Sequence, residues 1–482
     1  MNQIPQPRRT AEEIRDAGMD EVSISRALAR KISGKAMYVA EAKKWYGWTG
    51  SRYDPTRGDQ YVKRQSVSIT DDLLREVRDA TALHGVDEKL RERLIRDARA
   101  TRREARIAAA ASLCSIMEGF GASLSDFDAD PWSINCLNGV IDLRTGELRE
   151  HNSEDLHTKQ VAVHYDPNAT CPNWVEFLHS VFADDRELVD YVQRCLGYAS
   201  SGITNEQVLF FLHGAGANGK STLLDTVSYV LGDYSQKAPS TLLMKRREES
   251  IPTDVARLVG TRFVVANETE QGAAWNEPQV KDLTGDETVT ARFLRQDFFD
   301  FSPSHKLFVA GNHRPTVRGT DEGIWRRIKL IPFSVTFSDS QRDKGLAQRL
   351  RAERAGILTW LVQGCLAWQR QGLAEPTVVS EETAQYRRDE DRIGQFLGDQ
   401  CVSGDPSYRV TRRDLYDTYA EWCRDNGLYA KSQIQFSKEI SERGGFGKSK
   451  IMGTRSWTNL RLRRAEDGDS DGDSDDGVDM PF

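Results

Sequence analysis

No apolar run in this 482-residue chain approaches the roughly 20 residues that a bilayer-spanning helix needs, so a membrane protein is not expected. The first residues, Met-Asn-Gln-Ile-Pro-Gln-Pro-Arg-Arg, lack the apolar core of a signal peptide, which argues against export and for the cytoplasm. Seven cysteines stand scattered at 114, 136, 171, 195, 365, 401 and 423. With no C-x-x-C spacing, neither a zinc knuckle nor a disulfide framework is expected, and reduced, buried thiols are. Internal repeats are lacking too. Basic residues are missing from 465–482, which carry eight acidic ones. That segment accounts for the net charge of −7, because the rest holds 66 basic and 65 acidic residues. The body is therefore charge-balanced, with local basic patches and an acidic tail.

What is present centres on Gly214-Ala215-Gly216-Ala217-Asn218-Gly219-Lys220-Ser221, which fits G-x-x-x-x-G-K-[ST]. The apolar run Val208–Leu212 precedes it and a helical pattern, Thr222–Leu231, follows. That strand–loop–helix setting is what a phosphate cradle needs: backbone N–H groups and a helix N-terminus face the anion. Lys220 would reach the β- and γ-phosphates and the Ser221 hydroxyl would ligate Mg²⁺, with Gly214 through Thr222 lining the nucleotide. ATP and Mg²⁺ are the expected cofactors. A metal-holding carboxylate belongs on a neighbouring strand. Arg262–Ala266 runs into Asn267-Glu268-Thr269-Glu270, so Glu268, a candidate Mg²⁺ partner, and Glu270 are the candidates. A third strand, Lys306–Ala310, ends at Gly311-Asn312, where a polar tip can meet the γ-phosphate. Gly323-Ile-Trp-Arg-Arg-Ile328 offers Arg326 and Arg327 as an arginine finger. The sequence does not choose within either pair.

Alternating strands and helices predict an α/β class with a parallel sheet over 201–375. Residues 1–35 read as polar and partly unstructured. Residues 36–200 read as a mostly helical domain, with an aromatic hairpin around Trp45, Trp48 and Tyr53, a long charged helix over 87–111, and a strand–turn pattern from Ile134 to Gly146. Residues 376–464 read as a winged-helix-like unit and 465–482 as a disordered tail. Leu415, Tyr419 and Trp422 mark one helix of that unit and Ser432–Arg443 a second. A basic two-stranded wing carrying Lys448, Lys450 and Arg455 suits duplex or forked DNA.

In their order, these pieces resemble the superfamily 3 helicases, and among them the phage and plasmid primase C-terminal family that includes the helicase half of poxvirus primase–helicases. The likeness is carried by Leu137-Asn-Gly-Val-Ile-Asp-Leu143, Tyr165–Trp174, Gln193-Arg-Cys-Leu-Gly-Tyr198, Gly216–Thr222, Leu283-Thr-Gly-Asp286, Ala291-Arg292, Gly311-Asn-His-Arg-Pro315 and Gly323–Ile328. It implies an AAA+-like P-loop ATPase core with a helical N-terminal domain and a C-terminal winged helix. It also implies a hexameric ring that moves on single-stranded DNA, usually 3′ to 5′. By position, it gives the phosphate role to Lys220 and Ser221 and the Walker B role to Glu268, with Glu270. Asn312 becomes the sensor, and Arg326 or Arg327 the finger. Between Walker B and Asn312 it places a DNA-contacting hairpin, where Lys281, Arg292 and Arg295 stand ahead of Phe298-Phe299. Basic side chains in a pore track phosphates without reading sequence. Family members with primase activity carry metal-binding motifs upstream. The roughly 130 residues before Leu137 show none, so a helicase without primase chemistry is expected.

The tail ends Asp479-Met480-Pro481-Phe482. This resembles the acidic tip of bacterial single-stranded-DNA-binding proteins, and points to docking on host or phage replication proteins. The competing reading is a DNA-binding initiator or loader that remodels DNA without processive unwinding. A non-hydrolysing ATP-binding scaffold fits less well with Glu268, Asn312 and the arginine pair all in place.

Overall fold

The computed structural model describes residues 9–82, 86–245, 253–267, 272–285, 288–292, 297–317, 322–451 and 453–464. Its centre is a five-stranded, all-parallel sheet of Leu209–His213, Ser235–Pro239, Phe263–Asn267, Lys306–Gly311 and Ile328–Pro332. Numbered by occurrence, the strands lie side by side in the order 5-1-4-3-2. The first, third and fourth strands read as nearly unbroken apolar runs because both faces are covered, whereas the edge strand Ser235–Pro239 is polar and partly exposed. Phe210, Leu212, Phe263, Val265 and Phe308 point to one buried cluster. Leu209, Phe211, Val264, Leu307 and Val309 point to the other.

The first face packs against the helices Pro172–Val181, Arg186–Ser200, Lys220–Leu231 and Arg354–Gln371. Two of these, Arg186–Ser200 and Arg354–Gln371, touch backbone to backbone. A side chain on Gly197 would overlap the Cys365 nitrogen, and one on Gly364 would overlap the Gln193 carbonyl. Two cations fix the first of these helices to the sheet. Arg262 Nη1 donates to Ser200 O at 2.9 Å, and Lys306 Nζ donates to the carbonyls of Ser201, Ile203 and Ser304. Both side chains are buried. They meet the helix where its C-terminal carbonyls want positive charge. Burial pushes the pKa of each downward, that of Lys306 well below its usual value.

The N-terminal part combines a helical bundle with a sheet of Ala36–Val39, Lys44–Trp48, Tyr53–Asp54 and Gly121–Ala122. Residues 11–32, expected to be partly unstructured, form the helices Ala11–Ala17 and Glu21–Ile32. Thr10 and Glu13 make a capping box and Asp20 caps the second helix. Ile24, Leu28 and Ile32, at i, i+4, i+8, bury one stripe. The single helix expected over 87–111 is two, Glu88–Thr101 and Glu104–Ser115, and the break lets each pack separately on Gly58–Thr81. The 134–146 pattern is a three-stranded meander, Ser133–Cys136, Gly139–Asp142 and Glu147–Arg149.

The C-terminal unit orders its elements as Arg392–Gln400, Cys401–Ser403, Arg409–Thr411, Arg412–Asp425, Gln433–Glu442, the hairpin Gly447–Ile451/Thr454–Thr458, and Leu460–Leu462. Phe396, Tyr419 and Phe436 form its centre, with the Tyr419 and Phe436 rings stacked at 4.4 Å. One boundary differs from the expectation. Helix Thr377–Glu390, assigned by sequence to this unit, buries Tyr386 in the sheet's second cluster instead.

Candidate functional site

The glycine-rich loop leaves the C-terminal edge of the first strand and enters the helix Lys220–Leu231. Gly219 holds φ +88°, and a side chain there would press on Val181, so glycine is required on both counts. Asn218 is buried and donates to Phe333 O at 3.3 Å, tying the loop to the end of the fifth strand. Phe337 N donates to Ala217 O at 2.9 Å from the same segment. Ala215, Gly216 and Ser221 are exposed at the mouth.

Lys220 is buried, and its ammonium donates to Gly214 O at 2.7 Å, Asn218 Oδ1 at 3.1 Å and Asn312 Oδ1 at 3.1 Å. Lys220 and Asn312, 92 positions apart, therefore converge at one point. The sheet explains this, because the fourth strand pairs in register with the first up to Gly311 opposite His213. Burial lowers the Lys220 pKa. His213 is pushed down to about 4 by burial and by the Arg314 and Lys220 charges, so it is neutral near pH 7. The loop has the features of a phosphate cradle. It offers an inward ammonium already ringed by oxygens, open backbone at 215–216, and a helix N-terminus at Lys220–Thr222. Ser221 is free to face a cation there. Glu268 and Glu270 follow the third strand but lie outside the described residues. Among the described residues no His/Cys/Asp/Glu cluster forms a metal site.

The arginine pair separates. Arg327 is buried, with Nε on Thr284 Oγ1 at 3.0 Å and Nη1 on Gly323 O at 2.7 Å. Its charge is thus engaged within its own chain. Arg326 is exposed and its Nη2 donates to Gln207 Oε1 at 3.2 Å. Both stand before the fifth strand, at the edge opposite the glycine-rich loop. A five-residue strand at about 3.3 Å per residue puts about 16 Å between those edges.

Two hairpins carry the basic candidates. Val289–Arg292 pairs antiparallel with Phe298–Phe301, and the Arg292 guanidinium lies 5.0 Å from the centre of the Phe298 ring. Phe298 is 61% exposed, a large apolar ring presented to solvent. Arg295 lies outside the described residues. Lys281 sits on the preceding helix, Glu277–Thr284, and is half-buried. In the C-terminal hairpin Lys448, Lys450 and Arg455 are exposed, and Lys450 faces Arg455 directly across the strands. Like charges opposed in this way destabilise a hairpin unless an anion covers them. Asp479, Met480, Pro481 and Phe482 lie outside the described residues.

Sequence reasoning gave no role to Arg314 and Tyr386. Arg314 forks to Asp389 at 2.9 Å and Glu382 at 3.1 Å, and the Tyr386 hydroxyl donates to Pro315 O. The landmark Gly311-Asn-His-Arg-Pro315 was visible, but its partners were 68 and more positions away.

Residues 25–183 match a family model described as D5 N terminal like, and 388–462 match one described as poxvirus D5 protein-like. The chain carries D5-like segments toward both ends. Residues 212–327, between them, match a family of unknown function. A protein of Acanthamoeba polyphaga mimivirus named "putative helicase" is 29% identical over 327 residues, covering 63% of this chain and 34% of the viral protein. One of Invertebrate iridescent virus 6 with the same description is 30% identical over 338 residues, covering 61% and 34%. A "putative primase" of African swine fever virus is 25% identical over 347 residues, covering 66% and 36%. The chain thus spans about a third of the length of these relatives. The fold resembles the apo C-terminal region of NrS-1 with a TM-score of 0.51 at 12% identity, covering 91% of this chain and 99% of that one. No helix among the described residues is long and apolar enough to cross a membrane.

Proposed function

We propose that this chain is an ATP-dependent DNA helicase of the superfamily 3 type, acting in replication of a phage, plasmid or other mobile element. The observation that carries the reading is the meeting of Lys220 and Asn312 at 3.1 Å over the glycine-rich loop. A phosphate-binding lysine and a polar strand tip converge there at the C-terminal edge of a parallel sheet, where such folds bind ligands. The 5-1-4-3-2 strand order supports an AAA+-like core.

In this reading the Gly214–Thr222 loop holds the phosphates of ATP. Lys220 neutralises charge on the β- and γ-phosphates and Asn312 orients the γ-phosphate or the attacking water. Ser221, with Glu268, would hold Mg²⁺, which supplies further neutralisation of phosphate charge when bound. Glu268 or Glu270 polarises the water. Arg326 is the finger. The distance across the sheet keeps it from its own nucleotide, so it serves a neighbouring subunit, and this supports a ring, by family likeness a hexamer. The hairpin bearing Arg292 and Phe298 faces single-stranded DNA in the pore, with Arg295 and Lys281 in the same role. The order helix, two short strands, two helices and basic hairpin over 392–462 supports a winged helix, with Lys448, Lys450 and Arg455 on duplex or forked DNA. Movement is 3′ to 5′, without primase chemistry, and the acidic tail docks replication proteins.

The test is unwinding of forked duplexes with a 3′ or a 5′ single-stranded arm, comparing wild type with Lys220→Ala. Unwinding from the 3′ arm that is lost in the variant is the expected result. DNA-stimulated hydrolysis without strand separation would replace the helicase by an initiator or loader.

A further inference from the structure

Helix Thr377–Glu390 holds three separate segments of the ATPase module. On the loop after Asn312 it receives the Arg314 fork through Glu382 and Asp389, Pro315 O takes the Tyr386 hydroxyl, and Glu390 Oε2 accepts Val317 N at 3.1 Å. On the segment before Arg326, Arg387 forks to Glu322 at 2.7 and 3.2 Å, and the Trp325 ring meets Tyr386 edge-on at 5.2 Å. On the fifth strand, Thr383 Oγ1 accepts Leu330 N at 3.1 Å. Tyr386 is fully buried, accepts a hydrogen bond from Trp275 Nε1 at 3.0 Å, and packs on Phe211 of the first strand.

The same helix leads directly into the C-terminal unit. Asp391 caps the next helix and pairs with Arg443. A cavity of about 690 Å³ lies at this joint, lined among others by Trp325, Arg388, Ile393 and Arg443. The helix is thus bonded to the loops after Asn312 and before Arg326 on one side, and joined to the C-terminal unit beside an open cavity on the other.

We infer that helix Thr377–Glu390 positions both Asn312 and Arg326, and transmits the state of the C-terminal DNA-binding unit to ATP hydrolysis, with Arg314 and Tyr386 as positioning residues. This rests on the ATPase reading above. The physical case is that the Tyr386 hydroxyl bond to Pro315 O and the two-carboxylate fork of Arg314 each fix direction as well as distance. Loss of either leaves the loops in place but free to rotate, and a misplacement of about 1 Å costs on the order of a hundredfold in rate.

The experiment compares wild type, Tyr386→Phe, Arg314→Gln and Arg314→Lys in full-length protein for hydrolysis with and without forked DNA, together with binding of a fluorescent ATP analogue and melting temperature. Expected are a kcat lowered at least tenfold, nucleotide affinity within about twofold, and loss of the DNA-stimulated fraction, with Arg314→Lys partly restoring it. In the double variant Tyr386→Phe/Asn312→Ala, kcat should fall little below that of Asn312→Ala alone, because the hydroxyl acts on Asn312 through Pro315. Wild-type kcat and DNA stimulation in both Tyr386→Phe and Arg314→Gln would overturn the inference, as would fully additive losses with Asn312→Ala. If either variant fails to fold, Glu382→Gln/Asp389→Asn tests the same fork from the other side. Hydrolysis that survives Lys220→Ala would instead overturn the ATPase reading itself.

Discussion

Two neighbours at the start of the fourth strand, His305 and Lys306, are both enclosed, and each responds to enclosure in its own way. Lys306 keeps carbonyl partners. Burial, with the Lys306 charge beside it, pushes His305 down to about 3. The unfolded chain protonates this imidazole below about 6.5, and the folded chain does so only near 3. The unfolded state therefore binds more protons between those values, and stability rises with pH across that window. The expected loss on acidification is on the order of 4 kcal/mol at the low end. Melting temperature measured from pH 4 to 7 should climb steeply in wild type and less steeply in His305→Leu. Equal slopes would place the proton uptake elsewhere. The arginine pair gives a second prediction. Arg326→Ala should lower hydrolysis by about three orders of magnitude or more with the fold intact. Arg327→Ala should cost about 2–3 kcal/mol of stability, because Thr284 and Gly323 lose a buried charged donor. The pair was visible in the sequence, but which member faces inward was not. The distinction depends on Thr284, 43 positions upstream.

Helices and strands with their own periodic signal were the readable part. The Leu209–His213 strand, the loop and the Lys220 helix follow one another in the chain, so local pattern located them. Helix Thr377–Glu390 was placed with the C-terminal unit that it adjoins in the chain, while its attachment runs through Tyr386 to residues far upstream. The N-terminal helices were missed for a different reason: charge hid a narrow apolar stripe at Ile24, Leu28 and Ile32. The crossing of Arg186–Ser200 with Arg354–Gln371 could not be read from spacing at all, since it turns on two glycines in helix interiors. Gly197→Ala improves intrinsic helix propensity by nearly 1 kcal/mol. It should nonetheless destabilise the protein by about 2 kcal/mol or more, because the methyl meets Cys365 backbone that cannot yield. Urea denaturation decides the sign. A more stable variant would mean that the helices slide apart freely.

At the scale of the whole molecule, the decisive geometry is that Arg326 and Lys220 lie on opposite edges of one sheet. In the function proposed above, the finger and the phosphate site of a single chain would serve different nucleotides, and hydrolysis would need two subunits. This makes a mixing experiment informative. Lys220→Ala subunits have a dead nucleotide site and an intact finger, whereas Arg326→Ala subunits have the reverse. Each alone should be nearly inactive. Mixed in equal amounts under conditions that permit subunit exchange, some interfaces pair an intact site with an intact finger, so hydrolysis should reappear at up to about a quarter of the wild-type level if neighbours are drawn at random and each interface acts independently. No recovery, with exchange confirmed by a labelled subunit, would mean that the finger works within its own chain, or that all subunits must fire together. The two are separated by the concentration dependence of wild-type hydrolysis. A site completed by a neighbour loses specific activity on dilution below the assembly constant, whereas a site complete within one chain keeps it.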